Sequence, residues 1–486
     1  METATVAAAA PKNIPISPNT KLEEILRIYD AQFKNRQNLK NTTAKERKAK
    51  LKKLMATINE MRPEIENAVY ADLRKPKVET AYAEIYNSIA ECKYAIANID
   101  DWMAPHEVDT PLVYIGSSSK IVYEPKGMAL LLTPWNYPFQ MPAQHLVAAI
   151  AAGCSVIIKP SEFTPATSAL VKKLMAKVFP ENEVAVIEGD HTMSTELLKL
   201  KFDHIHFTGS PAVGKVVMRA AAEHLTSVTL ELGGKSPVIV DETANIDAAV
   251  KKITWGKLIN CGQTCIAPDY VLVHESKKDE FVSKLAANIK KVFGENPQQS
   301  NDISHIINNR HFNRIKGILN DAVSRGAKIE LGGQMDESDN YIAPTILTNV
   351  DLTSRIMEEE IFGPLLPVIS YKNESEVVNL INGKEKPLAL YIFSAKGSKQ
   401  DFWLNNTTAG GTCINDNLVH ISQPNLPFGG VNNSGIGKSF GYFGFKEFSN
   451  ERAVLKALHS GSVVTPLWQP YGKLAQTVTD FMIKYF

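Results

Sequence analysis

The sequence predicts an α/β protein built on a doubly wound parallel sheet, followed by a second α/β unit. Three observations carry this. From Gly127 onward, short apolar runs alternate with segments of helical period. The runs are apolar throughout, as parallel strands covered by helices on both faces must be. The alternation then restarts near Ser236, just after Gly233 and Gly234, and the boundary between the units is placed at those glycines.

The elements follow in order. Over 43–73 the chain is rich in Lys, Glu, Ala and Leu, and Leu51, Leu54, Ile58 and Met61 recur at helical spacing. The charged run AKERKAKLKK within it reads as the solvated face of that helix. A second helical stretch covers 82–96. Within 111–124, β-prone LVYI and KIVYE flank GSSS, a hairpin signal. The first unit then reads as strand GMALLLTP, a helix over 144–152, strand SVIIKPSE, a helix over 167–179, and strands AVIEG, HIHFTGS and SVTLELGG. The second unit contributes PVIVD, YVLVHE, YIAPTIL and LPVISY. Near the C-terminus Leu474, Val478, Phe481, Met482 and Tyr485 share one helical face. That helix is expected to pack on the body or on a partner subunit. A peripheral membrane anchor is the other reading, with thin cationic support from Lys473 and Lys484.

Composition narrows the function. The chain has 486 residues, too many for one simple core, and its formal net charge of +1 gives no bulk field to attract nucleic acid or an anionic membrane. The five cysteines, Cys92, Cys154, Cys261, Cys265 and Cys413, are an odd and sparse set. They read as reduced thiols, not as a disulfide framework. The N-terminal Ala run lacks a basic flank and follows acidic Glu2, so it resembles neither a secretory nor a transit signal. No run approaches the roughly 18 apolar residues of a membrane span. The expectation is a cytoplasmic protein with no nucleic-acid partner, no transmembrane segment and no metal.

Several residues could carry chemistry. Cys265 in NCGQTC sits among Gly, Gln and Thr, which suits an accessible nucleophile. A free cysteine is more often a small buried hydrophobe, and for Cys261 that packing reading is favoured. Glu231 closes an apolar strand and precedes two glycines, where a ligand would lie in an α/β sheet. It reads as a general base or as an ion-paired residue at a domain edge. FTGSPAVGK turns from a strand into a helix at Gly209, Ser210 and Gly214, and could aim helix N–H groups at an anion. It is not the G-x-G-x-x-G fingerprint. Lys159 and Glu162 in KPSE could bond ribose hydroxyls, and Asn136 in PWNYP could stabilise an oxyanion. Each also has a solvated or capping reading.

Together, PWNYP, KPSE, FTGSPAVGK, TLELGGKSP, NCGQTC, EEIFGP and PFGGVNNSGIG occur in an order and spacing that resemble the aldehyde dehydrogenase superfamily. The match is nearest its class 3 branch of fatty and aromatic aldehyde dehydrogenases, and it runs from about residue 22 to 457. The resemblance implies a variant Rossmann cofactor domain, an α/β catalytic domain and a small β bridging element for oligomerisation. It divides the chain into a flexible 1–20, an NAD(P)-binding domain of 21–110 and 125–233, and a catalytic domain of 234–420. The bridging element takes 111–124 and 421–457, and 458–486 is a tail. It further implies that NAD or NADP is the cofactor, that an aldehyde is the substrate, and that the chain forms a homodimer. Residue by residue, it places the nucleophile at Cys265, the general base at Glu231 and the oxyanion donor at Asn136. Gly209, Ser210 and Gly214 match the pyrophosphate turn, Lys159 and Glu162 the adenosine ribose, and Glu360 the nicotinamide ribose. Phe362 packs near that ring, and Trp135 walls the site. The longer N-terminus, the tail and Pro134 depart from the class 3 pattern, and none alters a catalytic position. A thiol esterase or acylating enzyme using the same cysteine is the alternative. A fold retained without turnover is disfavoured, since Cys265 and Glu231 are both present.

Overall fold

The computed structural model of the chain describes residues 17–459 and 464–485. The expected flexible lead-in lies outside the described residues up to position 16. From there the chain is tied down: Ser17 Oγ and the Thr20 N–H both donate to Glu188, at 2.9 and 3.1 Å.

Mostly apolar runs form the first sheet, whose six strands lie in the order Gly435–Ile436, Ser227–Glu231, His204–Thr208, Met128–Leu132, Ser155–Lys159 and Val184–Val186. All pair in parallel except Gly435–Ile436, which runs antiparallel to Ser227–Glu231. The chain winds outward from Met128–Leu132 on one side, then returns and winds outward on the other. The strand order therefore reverses between Met128–Leu132 and His204–Thr208. In open α/β sheets a ligand crevice forms at such a switch point, beyond the carboxyl ends of the strands. The two segments that leave these strands there are 133–136 and 209–210.

The second sheet has seven strands, ordered Lys328–Leu331, Thr345–Thr348, Leu365–Tyr371, Tyr270–His274, Pro237–Val240, Ala389–Phe393 and Gly411–Ile414. Only the edge strand Lys328–Leu331 is antiparallel. YIAPTIL is not one strand. It breaks at Ala343 and Pro344, because proline cannot donate to a ladder. Tyr341–Ile342 pairs with Met335–Asp336 instead, and Thr345–Thr348 alone joins the main sheet.

The expected hairpin within 111–124 is also different. Leu112–Tyr114 is a single 3-10 turn opened by Pro111, and it has no strand partner. Ser118–Pro125 pairs antiparallel with His106–Val108 on one side and with Ser449–Lys456 on the other. Pro111 fixes its own φ and lacks an N–H, so LVYI cannot extend a ladder there.

The helix Ala44–Glu60 starts at a capping box in which Thr43 and Glu46 satisfy each other's backbone N–H. Leu51, Leu54, Ile58 and Met61 are buried as their spacing requires. One member of the charged run is not solvated. Arg47 is buried and donates to the carbonyls of Ala151 and Lys40. The final helix, Lys473–Tyr485, buries Ala475, while Leu474, Phe481, Ile483 and Tyr485 stay exposed. Among the described residues, no helix is long and apolar enough to cross a membrane and no His/Cys/Asp/Glu group could hold a metal ion.

Candidate active site

The carboxyl ends of the first sheet's strands and the segments that enter the amino ends of the second sheet's strands enclose a cavity of about 920 Å³. Trp135, Asn136, Gly209, Ser210, Glu231, Cys265, Glu360 and Phe362 all line it. Lys159, Glu162 and Gly214 do not. Lys159 is buried at a strand end and paired with Glu162 at 2.9 Å. Gly214 is packed inside the helix Pro211–Ala222, where an added Cβ would lie 2.7 Å from Leu232.

Cys265 is the partly exposed member of five free cysteines, and the other four are buried. It follows a contorted turn. Asn260, Cys261 and Gly262 all take positive φ, at 51°, 54° and 75°. For non-glycine residues this costs on the order of 1–3 kcal/mol each, so the surroundings must hold it. They do. The Asn260 N–H donates to Glu79, and Asn260 Nδ2 donates to the carbonyls of Asn136 and Gln263. The Gln263 side chain donates to the carbonyls of Asn260 and His305 and accepts from the Ile307 N–H. Burial pushes the Cys261 thiol up to about 12, with Glu79 adding to it. The Cys265 thiol is also held well above its usual range, by burial and then by the carboxyls of Glu360 and Glu231. The N–H groups of Cys265 and Ile266 act the other way.

Asn136 is fixed from both ends. Its Nδ2 donates to the Gln263 carbonyl at 3.1 Å, leaving a second N–H. Its own carbonyl accepts from Lys75 Nζ at 2.9 Å. Lys75 and Glu84 form a wholly buried ion pair at 2.5 Å, and Glu84 also accepts from the N–H groups of Phe139 and Gln140. The ammonium sits 4.1 Å from the Tyr137 ring centroid.

Glu231 ends its strand buried, with Ser439 Oγ donating to Oε1 at 2.6 Å. Its Oε2 has no partner among the described residues. Burial pushes the carboxyl up to about 8, against the opposing pull of Ser439 and Lys438.

Glu360 rides on a loop that is clamped at several points. Lys235 donates to the carbonyls of Ile356 and Glu359 and pairs with Asp269, which accepts from the Ile361 N–H. Arg314 donates to the carbonyls of Glu360 and Ile361. Trp135 packs edge-on against Phe362 at 5.4 Å and beside His311 at 4.9 Å. The crevice also fits a dinucleotide. An added Cβ on Gly209 would lie 2.5 Å from Phe207, and one on Gly233 would lie 2.1 Å from Glu360, so only glycine fits at these two points of the cavity wall. Ser210 caps the N-terminus of the helix Pro211–Ala222, whose dipole favours an anion.

Comparison with known proteins agrees with this geometry. Residues 4–454 match the aldehyde dehydrogenase family. The chain belongs to the aldehyde dehydrogenase family. It is 45% identical over 435 residues to a putative aldehyde dehydrogenase, AldX, of Bacillus subtilis, covering 89% of this chain and 97% of that one. It is 43% identical over 405 residues to the dimeric NADP-preferring aldehyde dehydrogenase of Rattus norvegicus, covering 83% and 88%. A solved structure of Staphylococcus aureus AldH in a substrate-bound state superposes with a TM-score of 0.90 at 41% identity, covering 94% and 99%. The betaine aldehyde dehydrogenase of Staphylococcus aureus, solved with NAD+, superposes at 0.82 with 30% identity, covering 91% and 89%.

Within this family member, reading the sequence did not find Lys75, Glu84, Asn260, Gln263, His311 or Ser439 as parts of the site. Gln263 and Asn260 lie inside the NCGQTC motif, and their side chains brace the turn. The others carry no local signal. Lys75 and Glu84 sit in ordinary charged, helix-prone sequence, and their role arises only from burial.

Proposed function

We propose that this aldehyde dehydrogenase oxidises aldehydes to carboxylic acids with NAD or NADP through Cys265, Asn136 and Glu231. The observation that carries the reading is their convergence. The one thiol that is not buried shares a cavity with a side-chain amide and a buried carboxylate bearing a bare oxygen.

Cys265 Sγ attacks the aldehyde carbonyl and forms a thiohemiacetal. The free N–H of Asn136 and the backbone N–H of Cys265 receive its oxygen, and one such donor is worth on the order of 3 kcal/mol. When bound, the oxidised nicotinamide supplies a hydride acceptor and a positive charge that favours the Cys265 thiolate. Loss of hydride leaves a thioester on Cys265. Glu231 Oε2 takes a proton from water, the resulting hydroxide adds to the thioester carbon, and the C–S bond breaks. This releases the acid and returns the thiolate. Gly209, Ser210, Trp135, Glu360 and Phe362 line the cavity around the cofactor, Lys159 and Glu162 beyond the neighbouring strand end take its adenosine ribose, and Gly214 lets the helix that faces the pyrophosphate pack close against Leu232.

The apolar walls at Tyr82, Tyr86, Met141, Trp255, Val419 and Ile421 suit a medium- or long-chain aliphatic or aromatic aldehyde. Free thiols throughout suit a reducing, cytoplasmic setting. The open edge of Ser449–Lys456 and the name of the rat relative support a homodimer. The proposed division keeps 21–110 with 125–233 as the cofactor domain, 234–420 as the catalytic domain, and 111–124 with 421–457 as the bridge. The test is NAD(P)H formation from a panel of aldehydes by the wild type and Cys265→Ala. The variant should lose more than 99% of turnover, on the order of the losses known for covalent nucleophiles. Retained turnover would contradict the reading.

A further inference from the structure

Glu231 belongs to a hydrogen-bonded array that runs into the core beneath the first sheet. Ser439 Oγ lies 2.6 Å from Glu231 Oε1 and 3.1 Å from His206 Nε2. Ser439 and His206 are both buried, at 1% and 2% exposure. The His206 ring is gripped by aromatic neighbours. The His145 ring centroid is 3.7 Å away, and Phe448 stacks at 6.0 Å with planes 10° apart. His145 in turn stacks on Phe440 at 5.4 Å. Burial keeps both imidazoles neutral: His206 is pushed down to about 3, and His145 lies well below its usual value.

We propose that His206 is a positioning residue for the general base: its Nε2–H donates to Ser439 Oγ, which directs the serine hydrogen onto Glu231 Oε1 and leaves Oε2 to take the proton of the attacking water. The argument is one of donor count. A serine hydroxyl has one hydrogen, and a neutral imidazole has one N–H. If Nε2 were the acceptor, the serine hydrogen would be drawn to it, and a serine lone pair would face Glu231 Oε1 at 2.6 Å in the ionised form that acts as base. With Nε2–H donating, every hydrogen in the array points toward Glu231. A hydrogen bond to the charged form favours that form, so the array offsets part of the cost of burying Glu231. The inference rests on the reading of Glu231 as the base.

The other groups that face Glu231 do not replace this array. Lys438 favours the carboxylate and Glu447 opposes it, while Lys438 Nζ is held by the carbonyls of Gly429 and Gly430. Cys265 shares the cavity with Glu231. His145 turns its Nε2 toward Thr208 Oγ1 at 3.5 Å. Gly429 leaves room beside Oε1, where an added Cβ would come within 3.1 Å of it.

The test is the pH dependence of steady-state kcat, with deacylation limiting, from about pH 6 to about pH 10. Ser439→Ala should move the midpoint of the rising limb upward by roughly one pH unit, and His206→Phe by roughly half a unit. Ser439→Thr and His206→Gln, which keep a donor in place, should bring the midpoint most of the way back to the wild-type value. Melting temperature is read alongside. If Ser439→Ala and His206→Phe merely scale kcat down equally at every pH, with or without a lower melting temperature, the residues are structural and the proposal is wrong. Profiles that superimpose on the wild type also overturn it. Glu231→Gln separates the two levels of argument. If it keeps the rising limb, the reading of Glu231 as base fails. If it abolishes the limb while the Ser439 and His206 variants leave it in place, only this inference fails.

Discussion

Lys75 reaches through the core to hold the carbonyl of Asn136 at 2.9 Å, while its charge is balanced by Glu84 at 2.5 Å. Both partners are wholly buried. Such a pair need not add stability over an apolar replacement, but breaking it leaves one charge stranded. Lys75→Met should therefore destabilise by about 3–5 kcal/mol, and Lys75→Met with Glu84→Gln should recover much of that loss. Denaturant unfolding of the three proteins checks this. Equal stability of the single and double variants would mean that the pair does not act as a unit.

Glu231→Gln should let the first turnover proceed and stall the later ones. A neutral amide cannot take a proton from water, so a rapid burst of NADH should precede a steady rate reduced by about 100-fold or more. An unchanged steady rate would remove Glu231 from the mechanism.

The same residue makes a prediction about stability. Folding raises the Glu231 carboxyl from 4.5 to about 8. Between those values the folded state binds the proton and the unfolded state does not, so stability falls as pH rises through the interval. Glu231→Gln removes that penalty. Its melting temperature should match the wild type near the lower pH and exceed it near the upper one, by the equivalent of up to a few kcal/mol. A gain that is independent of pH would show that the carboxyl is not raised by burial.

Cofactor choice should turn on Glu162. Its carboxylate is held by Lys159 at 2.9 Å, beyond the end of the strand Ser155–Lys159. A carboxylate there accepts from a ribose hydroxyl and repels a 2′-phosphate, while the neighbouring ammonium attracts one. NAD and NADP should both serve, with NAD preferred at neutral pH. Glu162→Gln frees Lys159 and should raise the NADP/NAD ratio of kcat/KM by about tenfold, the scale of one charged hydrogen bond. The ratio is measured for both proteins at one salt concentration. A ratio that stays put would show that Glu162 does not read the 2′ position.

Where an element depends on local pattern, the sequence was enough to place it. The strands ending at Leu132, Lys159, Thr208 and Glu231 are apolar runs closed by turn residues, and their alternation with helices implied a parallel sheet. The cavity residues Asn136, Gly209 and Glu231 lie at or just past those ends, while Cys265 lies in the turn that enters the strand Tyr270–His274 of the second sheet. What escaped depends on tertiary partners. Arg47 sits in a charged run yet is buried, because two carbonyls of the body receive it. LVYI has strand composition, but Pro111 and the missing neighbour leave it as a turn. Ser439 and His206 are far apart in sequence, and only the antiparallel return beside Glu231 brings them together.

The central claim is that Cys265 carries the acyl group. Glu231→Gln, mixed with aldehyde and NAD+, quenched in acid and digested, should yield one peptide heavier by the acyl mass, with the modification on Cys265. Cys261→Ala in the same background should leave that adduct in place, since Cys261 is buried and its thiol is held at about 12. An adduct on Cys261, or steady NADH formation with no acylated cysteine, would contradict the account.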